Sequence, residues 1–434
     1  MNNQRIRYID LFAGCGGLSE GFESVGRFAG VAHVEWEAEP ANTLRQRLRE
    51  RWRYTDADAH VICADIQLLQ SLFAGGSGVG GEVHCGLDAL VQKAGGVDLV
   101  IGGPPCQAYS LAGRIRDAHG MQLDYRNYLF ESYLDVVRRY RPQMVVFENV
   151  PGLLSAAPGG VPIVERVAEA FRHAGYVIPA DLRTCIVDMA EFGVPQIRKR
   201  VIIIGIAEHV GGQGSVDLLE QAYSALRSRR SDRVQTVEDA IGHLPALYPA
   251  PGRSDRRPSH SEGRPAVSDH EPRYHSRRDQ KIFRLLARDT ASSDPKLQDI
   301  ETLKALYTKF TGKVSNIHKY HVLRTNAPSN LIPAHLYKDG LRHIHFDPLQ
   351  ARSLTVREAA CLQGFPADFH FVGSRGARYK MIGNAVPPIF AAHLAHVIAA
   401  ALPTLDARRT PGSGTQATGS RARGPKASLA SRYA

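Results

Sequence analysis

The residues Gly102-Gly103-Pro104-Pro105-Cys106-Gln107 combine a forced turn with a thiol. The run before them, Val97-Asp98-Leu99-Val100-Ile101, has the apolar density of a buried strand. A cysteine on a stiff loop at the carboxyl end of a strand has the setting of a nucleophile. A small buried cysteine is the commoner role, so the thiol needs partners before it can be assigned. Glu148-Asn149-Val150 closes another apolar run. A doubly wound sheet would set that carboxylate beside the Cys106 loop. Gln196-Ile197-Arg198-Lys199-Arg200 precedes the apolar Val201–Ile204. Alternation puts Gln196, Arg198 and Arg200 on one face. A lone basic run is usually a solvated face; one leading into a buried strand is expected at a sheet edge, facing a site.

A second set of residues suits a cofactor. Gly14, Gly16 and Gly17 follow the apolar run Tyr8–Phe12. A glycine-rich first strand–helix turn lets backbone approach a ligand closely. The spacing lacks the full G-x-G-x-x-G pattern, so a dinucleotide is not favoured. Glu35 ends a second apolar run, where an acid can hold ribose hydroxyls, and Trp36 beside it can stack on a purine. Asp65 ends a third run and can accept from an exocyclic amine. Together they suit an adenosine without a pyrophosphate, as in S-adenosylmethionine.

The elements that must position these groups alternate strand and helix. Strands are expected at 7–12, 28–35, 61–65, 97–101 and 144–149, with helices from 18, over 38–51 and over 128–140, and a glycine-rich loop with a short helix over 74–96. That alternation predicts a parallel sheet covered on both faces. The pattern changes after about residue 208. The stretch 225–345 is rich in Arg, His, Ser and Pro with weak periodicity and reads as a separate, loop-rich domain. Thr355 and Glu358 form a capping box for a helix, and a last helix runs from the Gly383-Asn384-Ala385-Val386 segment to about Ala401. The expected organisation is a catalytic domain of 1–207 plus 375–402, a smaller domain of 208–374, and a disordered basic tail of 403–434.

Six scattered cysteines with no C-x-x-C pair argue for a reducing compartment and against a disulfide framework. The first residues lead straight into a strand, which reads as no signal peptide, and no apolar run approaches the roughly 18 residues of a membrane span. Net charge is +11, of which residues 407–434 carry +6. The rest is still basic, which fits a polyanionic partner.

The set resembles the DNA (cytosine-5) methyltransferases. The matches are Asp10-Leu-Phe-Ala-Gly-Cys-Gly-Gly17, Gly103-Pro-Pro-Cys-Gln107, Glu148-Asn-Val150, Gln196-x-Arg-x-Arg200, Arg352 to Ala360 and Gly383-Asn-Ala-Val386, in the family's order. The resemblance implies a Rossmann-like S-adenosylmethionine-dependent α/β domain with a mostly parallel, doubly wound sheet, and a smaller target-recognition domain in 208–374. It implies methyl transfer to carbon 5 of a cytosine in double-stranded DNA, with the base flipped out of the helix. Cys106 would add to carbon 6, Glu148 would hold ring nitrogen 3 and the exocyclic amine, Arg200 the carbonyl at carbon 2, and Arg198 would support the site electrostatically. The cofactor would lie on Phe12, Gly14, Gly16, Gly17, Leu18, Glu35, Trp36, Asp65, Ile66, Pro104, Leu129, Asn384 and Val386. Ser110–Gly120, with Arg114 and Arg116, resembles a loop closing over DNA, and Asp124–Leu129 the segment lining the cofactor pocket. No metal is implied, and the nine histidines between 243 and 345 read as polar surface or DNA contacts. The expected setting is a cytoplasmic monomer of a bacterial modification system, with a separately acting cognate endonuclease and no membrane. Alternatives held open are a tRNA cytosine-5 methyltransferase and a non-catalytic DNA-binding regulator.

Overall fold

The computed structural model describes residues 5–105, 129–157, 160, 162–250, 259–261, 267–316, 319–338 and 340–408. Among the described residues ten strands form in chain order: β1 (Ile6–Leu11), β2 (Phe28–Glu35), β3 (Val61–Cys63), β4 (Gly76–Ser77), β5 (Val83–His84), β6 (Leu99–Gly102), β7 (Met144–Asn149), β8 (Tyr176–Val177), β9 (Ile186–Asp188) and β10 (Lys199–Ala207). β4 and β5 make a small hairpin inside the segment expected to be mostly loop. The rest form one sheet in the order β3-β2-β1-β6-β7-β10-β8, with β9 also on β10. The first five of these are parallel to one another and β10 is antiparallel to β7, β8 and β9. This is the expected mostly parallel, doubly wound α/β sheet.

The sequence explains the sheet directly. β6, β7 and β10 are almost unbroken Val, Ile, Met and Phe, and their residues are buried on both faces. Order reverses between β1, which leads to β2, and β6 on its other side, and it is at the carboxyl ends of such a switch point that doubly wound sheets bind ligands. Register aligns those ends: Leu11 lies opposite Val34 and Gly102, Glu35 opposite Cys63, and Gly102 opposite Phe147.

Two helices cross the boundaries drawn from sequence. Helix Ser215–Arg227 lies beyond residue 208, yet Leu218, Leu219, Ala222 and Leu226 belong to the sheet's core. Its Tyr223 hydroxyl donates to Ile202 O at 2.8 Å and accepts from Ile204 N at 3.0 Å. Helix Arg375–Asn384 lies after residue 375, yet Tyr379, Met381 and Ile382 join the second region's core with Leu354, Val356 and Phe369. The final helix, Pro388–Arg408, runs past the expected end at about 401. Contrary to the sequence expectation, the stretch 375–402 holds an 18-residue window apolar enough to cross a membrane, with a mean hydropathy of 1.7. It is instead a core element: Phe390, Ala391, Leu394 and Ile398 are wholly buried.

The second region is less loop-rich than expected, because helices Arg277–Thr290 and Ile300–Thr311 build a small core of their own around Phe283, Leu286 and Tyr320. Elsewhere, buried polar side chains do the work of ladders. Thr355 and Glu358 close the expected capping box, and Arg352 grips both Glu358 oxygens at 2.6 Å. Burial alone would raise the Glu358 carboxyl; the Arg352 guanidinium overrides that and holds it well below the usual range. The histidines correct the surface reading. His260, His270, His275, His343 and His345 are buried. His260 pairs with Gln350 O, His270 with Thr355 and Pro245 O, His275 with Ser353 N, and His343 with Leu331 O. Each ties one irregular segment to another where no strand is available.

Candidate active site

The first strand–helix turn is bent by backbone that few side chains tolerate. Phe12 and Gly14 adopt φ of 58° and 57°, and Gly16 follows at 91°. At Gly17 a Cβ would fall 2.4 Å from Val386 O, so only glycine lets the turn and the 383–386 segment close on each other. Leu18 is buried behind the turn. At Gly14 a Cβ would meet nothing within 4 Å, so the space over the turn is open.

Glu35 stands at the mouth of that space. Its carboxylate accepts from Gly14 N at 2.8 Å, Trp36 N at 2.8 Å and Glu37 N at 2.7 Å. Burial raises its pKa, and these backbone donors partly offset the rise. Trp36 is 48% exposed, a large indole left outside the core. Asp65 is half-buried and caps Gln67 N at 3.0 Å, while Ile66 beside it is buried. Leu129 is buried at the start of helix Leu129–Tyr140, Val386 is buried, and Asn384 is exposed. The acceptors, the indole and the open glycine turn fit an adenosine carrying a short charged chain. A residue set the sequence reading left out lies just beneath. Asp10 is buried, its Oδ2 accepting from Ser19 Oγ at 2.6 Å, and Ser19 also meets His33 Nδ1 at 3.0 Å. Burial raises Asp10 to about 7, against the Ser19 hydrogen bond, and lowers His33 to about 3. Asp10 stood in a matched motif, but nothing in its spacing marks a buried acid–hydroxyl–imidazole group.

The second half of the site lies at the β6–β7–β10 end. Glu148 Oε1 and Arg200 Nε are 2.9 Å apart, both largely buried. Pairing of β7 with β10 sets this, since Glu148 lies opposite Ile202 and Asn149 opposite Val201. A Cβ on Gly103 would fall 2.6 Å from Glu148 Oε2, so the chain leading to Cys106 passes directly over the carboxylate. Asn149 Nδ2 donates to Pro104 O at 3.4 Å and tethers that stem. Sequence reasoning gave Asn149 no role; its place after the catalytic-type acid was the available signal. Cys106, the Ser110–Gly120 loop with Arg114 and Arg116, and Asp124 lie outside the described residues.

The alternation read from 196–200 is present: Gln196, Arg198 and Arg200 are buried, and Ile197 and Lys199 are exposed. The three do not share one environment, however. Arg198 is deeper than Arg200 and donates to Gly383 O at 3.0 Å and Ile332 O at 3.4 Å. Burial and the Arg200 charge push its guanidinium well below the usual value, with Glu148 opposing. It braces three segments. Among the described residues no cluster of His, Cys, Asp and Glu has the makings of a metal site.

Residues 6–400 match the family of C-5 cytosine-specific DNA methylases. The chain belongs to that family. It is 32% identical to the type II methyltransferase M.Bpa9945I of Bacillus paralicheniformis, over 90% of this chain and 98% of that one. It is 30% identical to the type II methyltransferase M.AgeI of Thalassovita gelatinovora, over 92% and 100%. In fold it resembles a putative DNA modification methyltransferase encoded within an E. coli prophage, with a TM-score of 0.59 at 22% identity, covering 92% of this chain and 99% of that one. The Dnmt2 methyltransferase of S. pombe aligns with a TM-score of 0.50 at 16% identity, over 93% and 100%. As a member of the family, the chain is a DNA cytosine-5 methyltransferase, and the family uses S-adenosylmethionine.

Proposed function

We propose that this methyltransferase acts on one cytosine of a specific duplex sequence through a covalent Cys106–cytosine adduct, with the base flipped from the stack. The observation that carries the reading is the largely buried Glu148–Arg200 pair beneath Gly103, at the root of the Cys106 loop. Cytosine is not a nucleophile at carbon 5. Cys106, as the thiolate, adds to carbon 6 and makes carbon 5 enamine-like. Glu148 holds ring nitrogen 3 and the exocyclic amine, favouring the electron-rich ring as it forms. Arg200 donates to the carbonyl at carbon 2, where negative charge gathers. Arg198 adds a fixed positive field from behind. S-adenosylmethionine, when bound, supplies the methyl group as an electrophile. Phe12, Gly14, Gly16, Gly17, Leu18, Glu35, Trp36, Asp65, Ile66, Pro104, Leu129, Asn384 and Val386 are the residues that would hold it. Water or hydroxide then takes the carbon 5 proton, and Cys106 leaves from carbon 6.

The reading divides the chain into a sheet-based catalytic part and a target-recognition part centred on residues 228–374. It places the protein where cellular DNA is, as one methylase of a restriction–modification pair or a solitary one, in keeping with its type II relatives. The test is trapping. Bisulfite sequencing of DNA from expressing cells maps the modified site. A duplex with 5-fluorocytosine at that site should then crosslink to the wild-type protein and not to Cys106→Ser. Cys106→Ser should lose methyl transfer by at least about 10⁴-fold while still binding S-adenosylhomocysteine. An active serine variant, or no adduct, rejects covalent catalysis.

A further inference from the structure

The sheet and the second region meet along a line of buried amides. Gln196 and Gln363 are wholly buried. Ile332 N donates to Gln196 Oε1 at 2.9 Å, Gln196 Nε2 donates to Gln363 Oε1 at 2.6 Å, and Gln363 Nε2 donates to Ala385 O at 2.6 Å. All three bonds run in one sense. Amide dipoles aligned this way in a low-dielectric interior polarise one another, so the line strengthens as a unit. Its orientation is also forced. Flipping the Gln363 amide would set oxygen against the Ala385 carbonyl and NH₂ against the Gln196 NH₂.

The ends of the line matter. Gln196 lies four residues before Arg200, and its neighbours are bridged to Ser329 by Ile197 N to Ser329 O and Ser329 N to Pro195 O, each 2.9 Å. Ile332 belongs to the second region's core. Ala385 sits between Asn384 and Val386, against the Gly17 turn. Arg198 spans the same gap, on Ile332 O and Gly383 O. Moving any one segment breaks a bond between buried groups, and each donor or acceptor left unmet costs its desolvation penalty.

We propose that Gln363 is a positioning residue that couples occupancy of the cofactor turn to the placement of residues 196–200 and 329–332 against DNA. This rests on the assignments of Asn384 and Val386 to the cofactor and Arg200 to the cytosine. Two sites joined by one two-ended element must show reciprocal coupling of their affinities. Cofactor binding fixes Ala385, which fixes Gln363, which fixes the approach to Arg200 and the Ile332 strap.

The experiment measures the dissociation constant of the full-length protein for a duplex carrying the mapped site, with and without saturating S-adenosylhomocysteine. Wild type should bind that duplex at least tenfold tighter with the cofactor product present. Gln363→Met keeps the side chain's length and removes both hydrogen bonds. Its ratio should fall to near one, while its affinity for S-adenosylhomocysteine alone changes less than threefold. A variant that melts earlier but keeps the wild-type ratio gives Gln363 a purely structural role and overturns the proposal. A wild-type ratio near one also overturns it. A readout without any variant is hydrogen exchange of wild type: adding S-adenosylhomocysteine should slow the Ile197 and Ile332 amides, and unchanged exchange rejects the coupling. Failure of the wild-type protein to bind S-adenosylhomocysteine at all is a different result, and overturns the cofactor assignment itself.

Discussion

The sheet half and the second region satisfy their buried backbone in different ways. In the sheet half, ladders satisfy the backbone; Glu35 under three backbone donors and Glu148 on Arg200 lie at the carboxyl ends of the strands, while Arg47 on Glu20 and Arg7 on Asp98 brace the chain elsewhere. In the second region, buried side chains replace the ladders: Arg352 on Glu358, His260 on Gln350 O, and His275 on Ser353. The polar side chains at the strand ends carry no ladder, and they are the ones assigned to chemistry above. Polar residues of similar type in the second region are spent on holding irregular chain together.

The sharpest way to break this comparison is to neutralise one acid from each half. Glu148→Gln keeps the shape of the β7 end and removes the charge facing Arg200. We expect methyl transfer to fall about 10²–10⁴-fold, with S-adenosylhomocysteine affinity close to wild type and a lower melting temperature, because Arg200 loses its charged partner while Gln keeps a hydrogen-bonding oxygen. Single-turnover transfer of labelled methyl groups, beside calorimetry, checks this. A rate within tenfold of wild type would remove Glu148 from the chemistry. Glu358→Ala is the counterpart. It leaves the Arg352 guanidinium buried without its carboxylate, which costs about 3–5 kcal/mol. Hydrogen exchange should speed up over 343–363 while β6 and β7 stay protected. Equal loss of protection in both halves would mean that the two regions fold as one unit.

The same contrast explains what could be read from sequence. β2 and β7 were legible to the residue, because apolar runs in a parallel sheet are long and end abruptly on Glu35 and Asn149. The Thr355–Glu358 box was legible because capping is local. Helix Arg277–Thr290 was not legible: its apolar face is only Ile282, Phe283, Leu286 and Ala287 among charged neighbours. The buried histidines were missed for a related reason. A histidine's burial is set by acceptors such as Gln350 O, far away in the chain. Arg198 and Gln196 were placed on the right face, but their depth depends on Gly383, Ile332 and Gln363, which alternation cannot supply.

Acid should separate the halves by a smaller margin. His275 and His343 are held at about 3 by burial, and His260 and His345 at about 4. An unfolded histidine titrates near 6.5. Above that pH both states are neutral and nothing changes. As the pH falls below it, the unfolded chain takes up protons that the folded chain refuses, so stability is lost. At pH 5 the loss is about 2 kcal/mol for each such histidine. Glu358 does not offset it, since its depressed pKa contributes stability that persists until the pH drops below the ordinary carboxyl range. In the sheet half, His33 and the more weakly shifted His60, His84, His393 and His396 lose stability in the same way, but Asp10, raised to about 7, and the raised Glu23 and Glu35 oppose them. A raised acid binds its proton more tightly when folded, so Asp10 gains about as much between pH 7 and 5 as His33 loses. Lowering the pH from 7.5 to 5 should therefore loosen the second region and spare the sheet. Hydrogen exchange at the two pH values, corrected for intrinsic rates, would show protection lost at 321–323 and 343–345 and retained in β1 and β7. Loss in β1 first would mean that Asp10 does not carry the proton its burial demands.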